Sequence, residues 1–393
     1  MLNSRQHLHS PSSMKTFILA PDSFKESLTA EQACIAMQRG IRTVFPDAEC
    51  IHVPMADGGE GTVDAVLMAM QGQRINCEVK GPLPPQKVQT YFGLIEQGKT
   101  AVIEMAKANG IHLLQAIERN PLLTSTFGTG EMIIQALNTG VSNIIIGLGG
   151  SVTNDGGAGM AQALGAVFLD IHGNVIQGCG GELNCIHSID LSALDPRLKQ
   201  VEILIASDVN NPLCGPNGAS RVFGPQKGAS AEMVQQLDSN LRHLADVVQH
   251  TMGQDFRDVS GAGAAGGLGF GLMAFTHAKI QSGATLMIEH THLAEKIAQA
   301  DYVLTGEGKI DFQTKFGKTP WAVAQVAKSL NKPVMAFAGV LGEGIDELYQ
   351  QGFSQIVGIN PADCTVEEAM QNAEVNLENA VANSLRAFGE ITE

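Results

Sequence analysis

The chain has 393 residues, enough for two domains of ordinary size. Apolar residues at 44% against charged residues at 17% exclude a disordered chain, and 44 glycines with 5% aromatics suit an α/β enzyme rich in glycine loops better than an aromatic-rich β module. A net charge of −15 repels nucleic-acid phosphates, so no nucleic-acid partner is expected, whereas a few Lys, Arg and backbone N–H groups can still hold a phosphorylated small ligand.

Residues 1–13 are polar, lack the apolar core of a signal peptide and are expected to form a disordered leader, with Met14 as an alternative start. KTFILA (15–20) reads as a strand and PDSFKES as a polar loop. Thr29 and Gln32 then form a capping box for a helix faced by Ala33, Met37, Ile41 and Val44. CIHVPMA (50–56) is the next strand and DGGEG a glycine loop. Val63, Val66, Leu67 and Met70 mark a second helix face, and this βαβα start predicts a parallel sheet. GPLPPQ (81–86) interrupts the pattern. Beyond it, KVQTYFGLI and TAVIEMA predict two strands joined by the tight turn EQGK, and a hairpin implies a mixed sheet.

Strands ending in glycine loops then return. NIIIGLGG (143–150) leads to SVTNDGGAG and a helix through Met160 and Leu164. VEILIASD (201–208) leads to a long loop, a helix of about 20 residues, and GAGAAGGLG (261–269). DYVLTGEG (301–308) reads as strand and loop. Thr319-Pro320 opens a helix faced by Val323, Val326, Ala327 and Leu330. PVMAFAG (333–339) and QIVGI (355–359) are strands, and Thr365 to Glu368 caps a last helix. The similarity of the two terminal patterns predicts one domain made from both chain ends, 14–82 and 286–393, with 83–285 inserted as a second α/β domain of mixed sheet. No apolar run of about 18 residues predicts a membrane span. The seven cysteines, odd in number and without a C-x-x-C pair, read as free thiols of a cytoplasmic protein.

Two glycine strings resemble nucleotide motifs. Gly93 to Thr100 fits G-x-x-x-x-G-K-T, but a P-loop needs a strand before it and a helix after it, and Thr100 opens a strand. Gly261-Ala-Gly263-Ala-Ala-Gly266 fits G-x-G-x-x-G without a preceding apolar strand or a closing acidic residue. A dehydrogenase is therefore disfavoured, and the string reads either as a glycine loop for phosphate or as close helix packing by small residues.

The stronger signal is a register. Asp22, Asp57, Asp155, Asp208, Glu307 and Asp311 lie in polar loops at the expected C-terminal ends of strands, where open α/β sheets bind ligands, and most sit beside glycines. Lys25, Arg221, Lys227, Lys309 and Lys318 share those loops. Carboxylates, cations and glycine loops together suit Mg²⁺–phosphate chemistry, which needs charge neutralisation, an in-line acceptor and a carboxylate to take the hydroxyl proton.

Several of these loops also carry a family resemblance. APDSFKESLTA (20–30), MADGGEGT (55–62), TSTFGTGE (124–131), IIIGLGGSVTNDGGAGMAQALG (144–165), NPLCGPNGASRVFGPQKGA (211–229), GAGAAGGLG (261–269) and TGEGKIDFQTKFGK (305–318) resemble the bacterial glycerate kinases of the type-1 family. The resemblance runs from about Met14 to the C-terminus. It implies ATP-dependent phosphorylation of D-glycerate to 2-phosphoglycerate, with ATP and Mg²⁺ as cofactors, on a two-domain α/β fold. The first domain is then a Rossmann-like three-layer domain built from both chain ends, with the second inserted.

On this basis Asp57, Asp208 and Lys25 are the expected catalytic residues. Asp22, Ser23, Gly58, Gly59, Ser151, Asn154, Asp155, Arg221, Lys227, Gly306 and Lys309 are expected to bind substrate or nucleotide, and Glu307 and Asp311 to hold metal. Lys309 stands where the family frequently has Arg. The rival readings are phosphorylation at the 3-hydroxyl and a non-catalytic sugar-acid binding protein. The sequence leaves the oligomeric state open, a homodimer included.

Overall fold

The computed structural model describes residues 14–392, with side chains through 387, so the expected leader 1–13 lies outside the described residues. In chain order the strands are β1 (Thr16–Leu19), β2 (Glu49–His52), β3 (Gln73–Lys80), β4 (Lys87–Ile95), β5 (Thr100–Glu104), β6 (Asn143–Gly147), β7 (Val167–Leu169), β8 (Ser188–Asp190), β9 (Glu202–Ala206), β10 (Lys279–Gln281), β11 (Tyr302–Ile310), β12 (Val334–Leu341) and β13 (Gln355–Gly358). Helices cover the faces, as parallel strands require crossovers. The chain divides into two compact units. One joins the chain up to Pro54 with the chain from His292 onward, and the other is Met55–Thr291.

The discontinuous unit holds a five-stranded sheet in the order β13-β12-β11-β1-β2, with every pairing parallel. The helix Ala30–Arg42 starts at the expected capping box: Thr29 accepts from the Gln32 N–H and Gln32 reaches back to the Thr29 N–H. It packs against the helix Ala373–Thr392, and the core joins Phe17, Leu19, Met37, Ile41, Phe337, Leu377 and Val381. The last helical stretch is broken at Asn372, so the Thr365–Glu368 box caps only Val366–Gln371. One strand runs further than expected. β11 extends to Ile310, with Glu307 opposite Ala338 and Lys309 opposite Val340, because β12 supplies a pairing edge through Leu341. Glu307 and Lys309 therefore project from a strand end, not from a loop.

The continuous unit holds a six-stranded mixed sheet, β10-β9-β6-β5-β4-β3. β5, β6, β9 and β10 are parallel, while β4 is antiparallel to both of its neighbours. The expected β4–β5 hairpin is present, turning through Glu96–Gly98. β3 was not expected, although Ile75, Cys77 and Val79 alternate with Arg74, Asn76 and Glu78 in the period of a half-buried strand. Because β3 pairs with β4 and the helix Thr62–Met70 lies on β4 and β5, residues 55–82 belong to this unit. The compact division thus falls at Pro54–Met55, earlier than the expected 82–83. At the other end it falls at Thr291–His292, just past the helix Gly283–His290.

The G-x-G-x-x-G string is also settled by packing. The helix Ala264–Thr276 that it opens is buried along its whole length. A Cβ at Gly266, which has φ +69°, would stand 2.0 Å from the Thr153 carbonyl oxygen. The small residues are there for close approach of two backbones, and no open glycine cradle remains for a phosphate.

Candidate active site

Within the continuous unit, the C-terminal ends of β6, β9 and β10 converge on the loop Asp57–Gly59. Gly58, with φ +90°, lies so close to the end of β9 that a Cβ would meet the Ala206 carbonyl oxygen at 2.3 Å. A Cβ at Gly283 would meet the Asp57 carbonyl carbon and oxygen at 2.2 Å. The Gly149 N–H, just past β6, donates to the Gly58 carbonyl at 3.2 Å. The loop is therefore seated by backbone contacts that only glycines permit. The half-buried Asp57 accepts from the Gly59 N–H at 2.9 Å.

Asp208 follows β9 directly, and its carboxylate takes hydrogen bonds from the Ser282 hydroxyl and the Gly283 N–H at the start of the helix Gly283–His290. Loss of hydration raises its pKa, Asp57's negative charge adds to that, and the two donors work against it. The residue is exposed, so solvent moderates the shift. Two carboxylates thus lie close together beside the end of β9. Asp57 reaches it differently from expectation. β2 stops at His52, and Asp57 is seated on the continuous unit, not at the tip of a strand in the discontinuous one.

The loop after β6 is built from the inside. Asp155 is fully buried, and its carboxylate accepts from the Thr126 N–H (2.7 Å), the Thr126 hydroxyl (2.8 Å), the Gly157 N–H (3.0 Å) and the Gly159 N–H (3.2 Å). Burial pushes its pKa up and the four donors oppose that. This corrects the expectation that Asp155 meets a ligand: the carboxylate is occupied in holding the loop to the helix Ala158–Ala163. Asn154, also buried, accepts from the Ser220 hydroxyl at 3.0 Å. Lys227, 1% exposed, donates to the Ser151 hydroxyl and to the Thr153 carbonyl, each at 2.7 Å. Arg221 is exposed on the helix Ala219–Phe223.

Stripping water from the Lys227 ammonium pulls its pKa down to about 7, although the Asp155 charge works the other way. An unfolded lysine holds its proton to about pH 10.4. From about pH 7 upward folding therefore releases a proton at Lys227, and its contribution to stability rises with pH across that window. Lys227→Met is expected to remove this slope. Melting temperatures of the two proteins from pH about 6 to about 10 should converge as pH rises, with the variant more stable at the acid end; a gap that does not change with pH would contradict the assignment.

In the discontinuous unit, the ends of β1 and β11 meet. The Asp22 N–H donates to the Gly306 carbonyl at 2.8 Å. Its carboxylate takes the Ser23 N–H and the Thr319 hydroxyl, each at 2.6 Å. Lys25 is exposed just beyond. Glu307 accepts from the Thr314 hydroxyl at 3.2 Å and pairs with Lys318 at 3.4 Å. Asp311 pairs with Lys309 at 3.0 Å and caps the turn Phe312–Phe316 through the Gln313 N–H. Burial disfavours the charged Asp311, but Lys309, the Gln313 N–H and Lys318 outweigh it and hold the carboxyl below its ordinary range. Both expected metal ligands therefore already face lysines, an arrangement better suited to anion contact than to a cation.

The sequence model of the glycerate kinase family matches residues 17–389. The chain belongs to the glycerate kinase family. It is an enzyme, a kinase. It is 50% identical over 366 residues to the glycerate 2-kinase of Escherichia coli strain K12, covering 93% of this chain and 96% of that one. It is 49% identical over 372 residues to the glycerate kinase of Haemophilus influenzae, covering 95% and 98%. A crystal structure from Salmonella typhimurium LT2, named as a candidate glycerate kinase 2, superposes with a TM-score of 0.84 at 43% identity, covering 97% of this chain and 100% of that one.

For a glycerate kinase the P-loop string would be misleading. Gly93–Ile95 lie in β4, Thr100 opens β5, and the exposed Lys99 sits in the turn between them. Its carbonyl accepts from the N–H groups of Ser142 and Asn143. Lys99→Ala is expected to leave kcat within a few-fold of the parent, whereas a phosphate-contacting lysine would cost orders of magnitude; steady-state turnover of the two proteins decides it.

Some site residues were missed in the sequence. Ser282 and Gly283 follow the short strand β10, and their one signal was a Ser-Gly pair directly after KIQ. Glu104 ends the apolar β5, an acid in a buried run. It accepts from the Val63 N–H at 2.6 Å and the Gly61 N–H at 3.3 Å, and so ties the far side of the Asp57 loop to the sheet. Burial pushes its carboxyl up, against Lys107 and these donors.

Proposed function

We propose that this glycerate kinase transfers the γ-phosphoryl group of ATP to the 2-hydroxyl of D-glycerate, with Asp208 as the base and Asp57 as the partner of Mg²⁺. The observation that carries the reading is the carboxylate pair itself: Asp208 just after β9, and Asp57 in the loop on which the ends of β6, β9 and β10 converge, with the Ser282 hydroxyl and the Gly283 N–H donating to Asp208. A base works best with a pKa lifted towards the working pH, and Asp208 is the acid so lifted. In the reaction the substrate hydroxyl oxygen bonds to the γ-phosphorus, the bond from that phosphorus to the bridging oxygen breaks, ADP leaves, and the hydroxyl proton passes to the Asp208 carboxylate. The Ser282 and Gly283 donors favour one orientation of that carboxylate.

The donor set fits Mg²⁺, which takes one or two carboxylates and keeps water and phosphate oxygens for the rest. Among the described residues no group of three or more His, Cys, Asp or Glu forms a metal cage. When bound, Mg²⁺ neutralises charge on the phosphates. On the continuous unit, Arg221 is an exposed cation suited to phosphate oxygens. On the discontinuous unit, Lys25 and Lys309 are exposed cations, with Asp22, Ser23 and Gly306 shaping the loop beside Lys25.

Regiochemistry at the 2-hydroxyl is supported by the name of the Escherichia coli relative. Among the described residues no helix is long and apolar enough to cross a membrane, and a cytoplasmic location fits the free cysteines. The test is nucleotide turnover: ADP should form only when D-glycerate, ATP and Mg²⁺ are all present. Glycerate binding without ADP formation would leave the sugar-acid binding protein as the reading.

A further inference from the structure

Lys227 ends the turn Pro225–Lys227 and reaches beneath the loop after β6, where it donates to the Ser151 hydroxyl oxygen and the Thr153 carbonyl. An ammonium has donors and no acceptor, so it occupies a lone pair of Ser151 and forces the Ser151 proton elsewhere. Among the described residues no acceptor takes that proton. Asp155, the nearby carboxylate, is saturated by Thr126, Gly157 and Gly159. Ser151 follows the exposed Gly150 and itself keeps 7% of its surface open. The same turn carries two further buried polar atoms without a partner, Thr153 Oγ1 and Asn154 Nδ2, while Asn154 Oδ1 is held by Ser220. Buried donors left unpaired are costly, and a loop that gathers them is suited to an oxyanion.

We propose that Lys227 is a positioning residue: it fixes the Ser151 hydroxyl as a donor to an oxyanion of one substrate, the carboxylate of the acid or a phosphate oxygen of the nucleotide. The inference rests on the kinase reading above for the identity of those two oxyanions. It assigns Lys227 itself no contact with substrate, because the ammonium is sealed behind Ser151. It also gives the site a dependence on pH. A neutral Lys227 amine is an acceptor, so on deprotonation Ser151 turns its proton inward and the donor is withdrawn. The neighbouring charge that favours the ammonium is Asp155. The cations on adjoining segments are Arg119, whose backbone lies against Gly228, and the exposed Arg221.

The experiment is steady-state kinetics with D-glycerate and ATP on the full chain, for Lys227→Met, Ser151→Ala and the double variant. Wild type is measured first; if it forms no ADP from glycerate, the kinase reading fails and not this one. A hydrogen bond to a charged group is worth roughly tenfold or more in affinity, so at pH about 6, where Lys227 is charged, each single variant should raise the KM of one substrate by about tenfold and leave the other unchanged. A rise for glycerate identifies the carboxylate, and a rise for ATP the phosphate. The double variant should be no worse than Ser151→Ala. The affected KM should climb with pH through about 7 in wild type and stay flat in Ser151→Ala. That profile and Ser151→Ala, which removes only a hydroxyl, carry the test if Lys227→Met does not fold. Unchanged KM values, equal rises for both substrates, or effects that multiply in the double variant would overturn the proposal.

Discussion

Asp208→Asn is expected to lower kcat by at least about 10²-fold while the protein stays folded, because a positioned base contributes roughly 10²–10⁴-fold. Asparagine keeps the shape and can still accept from the Ser282 hydroxyl and the Gly283 N–H, so the local structure survives. It removes the lone pair that takes the proton. Asp57→Asn should also lower turnover, but with a different signature: the Mg²⁺ concentration needed for half-maximal rate should rise, because a carboxylate ligand has become a neutral amide. Neither substitution should lower the melting temperature, since each relieves the repulsion that Asp57 exerts on Asp208. Turnover and Mg²⁺ titrations on both variants check this. Near-normal turnover in both would reduce the two acids to turn formers.

Asp155 should behave in the opposite way. Its carboxylate serves four donors inside the continuous unit, three of them backbone N–H groups that have no other way to be satisfied once it is gone. Asp155→Ala leaves those donors buried and unpaired and opens a small void, which should cost about 3–5 kcal/mol. For a unit of this size that corresponds to roughly 10 °C in melting temperature. Asp155→Asn should also destabilise, because its amide turns donors towards donors, so the isosteric change that is harmless at Asp208 is harmful here. Thermal melts of the Asn variants at the two positions separate the roles. An Asp155→Asn protein with normal stability and lost turnover would return Asp155 to the list of ligand contacts.

The sequence carried much of this and hid a definable part. The strand–glycine-loop register singled out Asp57 and Asp208, and the fold brings them near each other, but only Asp208 directly follows a strand; Asp57 lies in a loop past the end of β2, seated against Ala206, Gly149 and Gly283. The same register could not distinguish Asp155 from them. All three are acids beside glycines or in polar loops, and only the fold shows that Asp155 turns towards Thr126 and not outward. β3 was legible in the alternation of Ile75, Cys77 and Val79 but was obscured by its charged partners, which face away from the core. Ser282 and Gly283 lie more than seventy residues from Asp208 and over two hundred from Asp57, and only the pairing of β10 with β9 brings them together. The end of β11 was placed too early because Gly306 and Gly308 read as loop residues, whereas β12 is long enough to hold them in the sheet.

Phosphoryl transfer to the 2-hydroxyl is tested by incubating the enzyme with ATP, Mg²⁺ and D-glycerate and reading the product by phosphorus NMR with proton coupling. One new phosphate ester is expected, on the C2 oxygen of glycerate, formed in equal amount with ADP and lost in Asp208→Asn. An ester on the C3 oxygen, or ADP formed with inorganic phosphate alone, would contradict it.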